Sequence, residues 1–328
     1  MPADAPALAA AAAALRAGQL VAFPTETVYG LGARASDPLA VRQIFAAKGR
    51  PVDHPLIVHL ADAAEVDAWV DRARLADGGA TLDALAAAFW PGPLTLVVPR
   101  AVGVPDEVTG GMDTVGLRVP AHPLARALIA AAGGGLAAPS ANRFGRVSPT
   151  TAAHVRAELG PDLLILDGGP CGIGVESTIL DLCDPDGPAL LRPGGLPAEA
   201  LVEALAARGR PPLPLPAGRR RASGTLAAHY APRTALRLAA DPEAEAAPLR
   251  AAGQRVATLR SGGDLSGYAQ RLYAELRALD LAGVDLLIAE LAPEVGLGAA
   301  INDRLRRAAF GSSASGGSGG AGASGGAD

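Results

Sequence analysis

The chain has 328 residues, 49% hydrophobic and 19% charged, with a net charge of −4 and 3% aromatic residues. This length accommodates two domains, each with its own core, and the slight acidic excess argues against a broad phosphate-neutralising coat for nucleic acid. Two cysteines in no ligand-like spacing, Cys171 and Cys183, exclude a disulfide framework and argue against a cysteine zinc site.

The opening "MPADAPALAAAAAALRAGQL" lacks a basic n-region, and its apolar run is too short to span a bilayer. It reads as the amphipathic first helix of a cytoplasmic protein. Short apolar runs then mark strands at 19–24, 56–60, 94–99, 115–120, 135–140, 163–169, 177–182 and 189–193. Helices are predicted after Asp37, Asp62, Thr81, His122, Ser148 and Pro197. The mixture implies α/β or α+β, and the tightly spaced later strands favour a mixed, partly antiparallel sheet.

Composition shifts at 207–234, a proline- and arginine-rich stretch ending in "GTLAAHYAPRT", which reads as an extended linker. Beyond it, strands "TALRLA", 255–259 and 284–291, a helix over 265–280 and a last helix through Leu305 predict a small βαβ-type domain. Leu265, Ala269, Leu272, Leu276 and Leu279 share one face of the 265–280 helix. The expected organisation is therefore a catalytic domain over 1–206, the linker over 207–234 and an accessory α/β domain over 235–310. Residues 311–328, rich in Gly and Ser, are expected to form a disordered tail.

Four stretches could carry chemistry. In "FPTETVYGLGARASDP" (23–38), Thr25 and Thr27 follow a strand end, where α/β ligands commonly sit; the plainer reading is a polar loop whose threonines cap the backbone. In "KGRPVDHPLIVH" (48–59), Lys48 meets a helix C-terminus, which explains one cation but not Arg50 held ahead of Pro51. A Lys/Arg pair on so restricted a loop suits an anionic ligand. His59, in an apolar run, reads first as a satisfied core histidine. His54 lies an odd number of residues away and would face the other side of a strand, so no two-histidine metal site is expected.

In "LAAPSANRFGRVSPTTAAHV" (136–155), Ser148-Pro149 reads as a helix N-cap and first position, beside which Ser140 and Asn142 could face an anion. "GPCGIGVESTILD" (169–181) and "LLRPGG" supply glycines too irregular for a dinucleotide fingerprint, together with Arg192 at a strand end. No Ser–His–Asp spacing, nucleophile elbow or HExxH is present. The pattern is instead strand tips with converging cations (Lys48, Arg50, Arg118, Arg192), suited to orienting anionic substrates and neutralising charge.

Taken in order, "PTETVYGLG", "KGRPxxxPLIVH", "PSAN", "VEST" and "LLRPG" resemble the threonylcarbamoyl-AMP synthase family with its YrdC-like fold. The linker "GTLAAHYAPR" and the domain after it resemble the family's long, two-domain members, so the resemblance covers the chain up to Phe310. It implies a twisted, largely antiparallel α/β sheet around a positively charged cavity, plus a smaller Rossmann-like domain. The implied reaction converts L-threonine, bicarbonate (or CO2) and ATP, with Mg²⁺, into threonylcarbamoyl-AMP and pyrophosphate. A downstream enzyme complex would then transfer the threonylcarbamoyl group to adenosine 37 of tRNA.

By the same resemblance, Lys48, Arg50, Ser140 and Asn142 match the family's catalytic signature. Thr114, Ser148, Arg192 and Tyr230 match nucleotide contacts, with Arg50, Ser140 and His54 also on the ATP side. Thr27, His59, Arg118, Ala138 and Ser177 match positions that hold L-threonine. Tyr230 would close over the nucleotide. Two other readings of the fold are an RNA-binding module, opposed by the acidic charge and scarce aromatics, and a carbamoyltransferase domain of the hydrogenase-maturation type. The latter predicts zinc-finger segments, and the chain has no CxxC pair.

Overall fold

In the computed structural model, residues 4–184, 186–209 and 222–315 are described. Residues 210–221 of the expected linker and 316–328 of the expected tail lie outside the described residues. The first half runs α1 (Ala5–Arg16), β1 (Val21–Phe23), β2 (Gly30–Arg34), α2 (Pro38–Lys48), β3 (Ile57–His59), α3 (Ala80–Phe89) and β4 (Leu94–Pro99). A single turn, α4 (Asp106–Thr109), precedes β5 (Thr114–Arg118), α5 (Pro123–Ala132), β6 (Leu136–Ala137), α6 (Ala152–Leu159) and β7 (Leu164–Ile165). Next come β8 (Thr178–Asp181), β9 (Ala189–Arg192) and α7 (Ala198–Ala206). After the linker come β10 (Ala235–Leu238), α8 (Pro242–Ala251), β11 (Val256–Leu259), α9 (Leu265–Leu281), β12 (Leu286–Ala289) and α10 (Gly298–Ser315).

The first nine strands form one sheet in the order β7-β1-β2-β6-β3-β5-β4-β8-β9. Three of its pairings are parallel (β1 with β7, β3 with β5, β4 with β8) and the other five antiparallel, the mixed, largely antiparallel sheet expected. The small sheet, β10-β12-β11, is wholly parallel, with α8 and α9 as crossovers. Parallel neighbours need such crossovers because a tight turn cannot reverse the chain twice.

Local signals explain most boundaries. Asp37 caps α2 by accepting from the Leu39 and Ala40 amides, Pro38 opens the helix, and Lys48 ends it beside a left-handed Gly49. Three expectations need correction. The helix expected after Ser148 begins at Ala152, and its N-cap is Thr151, which accepts from His154 N at 3.2 Å. The helix after Asp62 is a 3₁₀ segment over Ala63–Ala68. The helix predicted after Thr81 starts one residue before it, at Ala80.

The sequence reading missed β2, α4 and α8. β2 is "GLGAR", whose glycines read as loop. A side chain at Gly32 would meet the Phe23 ring at 2.7 Å, so here glycine lets two strands and an aromatic pack together. α10 also runs on to Ser315, past the expected start of the tail. Its Ser312 is buried and accepts from Leu236 N at 2.9 Å, tying the helix to β10.

The main apolar core lies between the large sheet and α2, α3 and α7, with a second cluster beneath α1 and α5. A third cluster is built on α9 and α10 but also contains Val28, Val147, Val175 and Tyr230. The small domain's core therefore continues into loops that border the large sheet. Those loops carry the polar strand tips.

Candidate active site

The site gathers where β3 ends at His59, β5 at Arg118 and β9 at Arg192, with Ser177 just ahead of β8 and Ala138 just past β6. Between them lies a partly open cavity. Its walls include Thr27, His59, Arg118, Ala138 and Ser177 on one side, and Arg50, Ser140, Arg192 and Tyr230 on the other. The register of the sheet accounts for the first set: β3 and β5 are parallel with His59 opposite Arg118, so both side chains leave the same face side by side.

Arg118 is buried, donating from Nη1 to Thr27 Oγ1 at 3.0 Å, from Nε to Gly92 O at 3.1 Å, and from Nη2 to Glu26. Thr27 Oγ1 also lies 2.8 Å from Thr25 Oγ1. The Ala138 amide donates to Ile57 O at 3.0 Å, and Ser177 Oγ sits 2.7 Å from Thr95 Oγ1. Burial, then the charge of Arg118, push the His59 imidazole down to about 3, and its buried Nδ1 has no hydrogen-bond partner among the described residues. His59 is therefore a neutral ring at physiological pH, with one polar atom unsatisfied at the cavity wall.

On the other side, Arg192 donates to Ser177 and, from Nη1, to Ser223 O of the linker at 2.7 Å. Arg50 donates to Pro55 O at 2.9 Å and reaches Ser223 Oγ at 3.4 Å, while its buried Nε has no partner among the described residues. Burial lowers the pKa of both guanidinia, that of Arg50 to about 10, which leaves it charged at neutral pH. Among the described residues neither pairs with a carboxylate, so two desolvated cations stand ready for an anion.

Tyr230 roofs this side. It is buried and adopts a left-handed backbone with φ 60°, rare for a residue with a Cβ, and its hydroxyl has no hydrogen-bond partner among the described residues. Its ring stacks on Tyr273 of α9, with centroids 5.8 Å apart. A smaller recess of about 310 Å³ adjoins the cavity through Ile57 and Ser223; it is mainly apolar and holds Thr114 and Met112.

Residues 13–194 match the family described as telomere recombination (Sua5_yciO_yrdC), and residues 197–310 match the threonylcarbamoyl-AMP synthase C-terminal domain. A threonylcarbamoyl-AMP synthase of Pyrococcus abyssi is 41% identical over 91% of this chain and 92% of its own length. That of Bacillus subtilis is 41% identical over 93% and 94%. The crystal structure of P. abyssi Sua5 complexed with L-threonine superposes with a TM-score of 0.85, at 40% identity, over 93% of this chain and 94% of that one.

The chain belongs to the threonylcarbamoyl-AMP synthase family.

Four residues expected at the site of this family member lie behind the cavity wall. Lys48 is buried and donates from Nζ to the Ser140 and Asn142 carbonyls, both at 2.5 Å, while its own carbonyl accepts from Phe144 N at 2.8 Å. Asn142 turns its amide to the Arg143 and Arg146 carbonyls at 2.8 and 2.9 Å. Together they tie the "KGR" and "PSAN" loops so that Arg50 and Ser140 face inward. His54 stands edge-on to Phe144, with centroids 5.3 Å apart, outside the lining. Ser148 caps no helix; it donates to Glu176 Oε1 at 2.6 Å.

Sequence reasoning assigned no role to Glu176, Ser223, Gly224 or His229, all of which line the cavity. Glu176 was visible within "VEST", and the other three lie in the linker, which carries no periodic signal to place them. Gly224, at φ +75°, runs so close over the site that a Cβ would sit 2.3 Å from Tyr230 Oη and 2.7 Å from Arg192 Nη1.

Proposed function

We propose that this cavity is where the chain joins L-threonine, bicarbonate (or CO2) and ATP into threonylcarbamoyl-AMP with release of pyrophosphate. The observation that carries the reading is the convergence of Arg50, Arg118 and Arg192 on one buried cavity. Three guanidinia suit two anionic groups: a carboxylate at the Arg118 end and a triphosphate at the Arg50 and Arg192 end. Thr27, His59, Ser177 and the Ala138 backbone would orient threonine. Ser140 and Tyr230 would enclose the nucleotide, and the recess at Thr114 would take its base. Lys48, Asn142 and Ser148 would serve from behind the wall.

The threonine amine adds to bicarbonate with loss of water. The resulting N-carboxylate attacks the α-phosphorus in line, forming the new O–P bond as the bond to pyrophosphate breaks. No protein nucleophile is needed; the side chains hold the reactants together and offset charge that grows on the departing pyrophosphate. Mg²⁺ in this reading comes with the triphosphate. Among the described residues no group of three or more His, Cys, Asp or Glu is suited to a metal, and the Glu176 carboxylate in the wall is already taken by three donors.

The product would pass to a downstream complex that transfers the threonylcarbamoyl group to adenosine 37 of tRNA in the cytoplasm. Among the described residues no helix is long and apolar enough to cross a membrane. The deciding assay follows pyrophosphate while each substrate is omitted. Release is expected only with L-threonine and bicarbonate both present. ATP turnover without threonine, or tight tRNA binding without turnover, would overturn the reading.

A further inference from the structure

Among the described residues lining the cavity, Glu176 is the single carboxylate. An anion in a wall that is to receive a triphosphate opposes the ligand, the more so where water is scarce. Its neighbours remove that difficulty. Oε1 accepts from Ser148 Oγ at 2.6 Å, and Oε2 accepts from Tyr273 Oη at 2.9 Å and Arg304 Nε at 2.7 Å. Burial alone would raise the Glu176 pKa, but the charges of Arg304 and Arg192, with the hydrogen bonds from Ser148 and Arg304, hold it at about 2.

The two domains contribute unequally. Ser148 comes from the large domain and brings no charge. Tyr273 and Arg304 come from α9 and α10 of the small one. Arg304 is fully buried, donates also to Pro193 O at 3.0 Å and to the neighbouring Asp303 carboxylate at 2.5 Å, and lays its guanidinium 5.0 Å from the centre of the Tyr230 ring. Within the cavity, Arg118 is held by Glu26, while Arg50 and Arg192 make their hydrogen bonds to Pro55, Ser177 and Ser223 rather than to Glu176. The cation in direct contact with Glu176 is therefore supplied from the other domain.

We propose that Arg304 is a positioning residue of the small domain that neutralises Glu176, so that nucleotide affinity depends on the small domain being docked. This rests on the reading that the cavity takes ATP. Removing Arg304 would leave in the phosphate-binding wall a carboxylate that keeps its two neutral donors but has lost its contacting cation. The loss should fall on ATP, a polyanion, and largely spare L-threonine, which carries no net charge. Removing the Glu176 charge as well should restore ATP binding.

The test is calorimetric titration of the full chain with Mg·ATP and, separately, with L-threonine. Arg304→Met should weaken ATP binding at least tenfold, about 1.4 kcal/mol, and L-threonine binding less than threefold. Glu176→Gln alone should bind ATP at least as tightly as the unmodified chain, and the double variant should return to within threefold of it. If the double variant stays as weak as Arg304→Met, or both ligands weaken equally, Arg304 only holds the domains together and the proposal fails. Should Arg304→Met not fold, Tyr273→Phe removes a neutral donor from the same oxygen. It should weaken ATP binding about threefold, reversed by Glu176→Gln, and absence of that reversal also overturns the proposal. An unmodified chain that binds no ATP would instead overturn the reading of the cavity itself.

Discussion

Arg192 holds Ser177 through three hydrogen bonds: Nε and Nη2 donate to its carbonyl at 3.1 and 2.7 Å, and Nη2 reaches its hydroxyl at 3.2 Å. One guanidinium fork thus sets the backbone of the "VEST" strand tip while its remaining nitrogen, Nη1, faces the linker. In the proposed reading, a residue assigned to ATP thus fixes one assigned to threonine.

Lysine cannot reproduce this fork, because an ammonium on a flexible stem offers no planar pair of donors. Arg192→Lys should therefore lower kcat/KM for pyrophosphate release by about 100-fold or more, which corresponds to roughly 3 kcal/mol. It should raise KM for both substrates. Steady-state kinetics decide the matter; a rise in the ATP KM alone would show that Arg192 serves the nucleotide without organising Ser177.

The two cations of the "KGR" loop should separate by experiment. Lys48→Met strands two buried carbonyls, each worth about 1–3 kcal/mol, and should shift the urea midpoint as well as activity. Arg50→Met strands one carbonyl, that of Pro55, where Lys48→Met strands two, and its other contact, with Ser223, is long. It should weaken ATP binding strongly while costing about 1 kcal/mol or less in stability. Equal stability losses would refute the division of labour.

Gly224→Ala tests the linker directly. The added methyl would collide with Tyr230 Oη and Arg192 Nη1, and φ +75° is itself unfavourable for alanine. ATP affinity should fall at least tenfold, with the melting temperature changed by no more than a few degrees, since the cores are untouched. Unchanged affinity would mean that the linker does not lie over the nucleotide.

Stability should decline as the solution is acidified, and the sign follows from two buried histidines. Burial first, with nearby cations, depresses His59 and His229 to about 3, against about 6.5 in the unfolded chain. Between those values the unfolded state binds the extra protons, so stability is intact above about pH 6.5. Below that it falls by up to about 1.4 kcal/mol per pH unit per histidine until about pH 3. Urea unfolding at pH 7, 6 and 5 should show the slope, and His59→Gln should remove about one proton's worth of it. An unchanged slope in that variant would show that His59 is not desolvated.

Much of this protein was legible in the residues. Asp37-Pro38 and Asp264 announce α2 and α9 because a capping carboxylate acts on amides two or three positions away. The strand tips at Arg118, Ser177 and Arg192 could be placed because apolar runs ending in Gly, Pro or Ser declare themselves locally. Ser148 misled for the same reason: Ser-Pro looks like a helix start, but Glu176, 28 positions away, takes the hydroxyl.

The sequence by itself determined the classes of element, the mixed sheet, the cationic character of the site and, through its ordered motifs, the family. Each rests on interactions within a few residues or on a pattern that survives without coordinates. The tertiary structure decided which cations face the cavity. Lys48 and Arg50 are two apart on one loop, yet one braces the wall and the other lines it, because the "PSAN" carbonyls lie within reach of Lys48 alone. It also decided that Glu176 is answered by Arg304, a partner 128 positions away. Neither choice is written in spacing, since both depend on which loops the packed sheet and the docked small domain bring together.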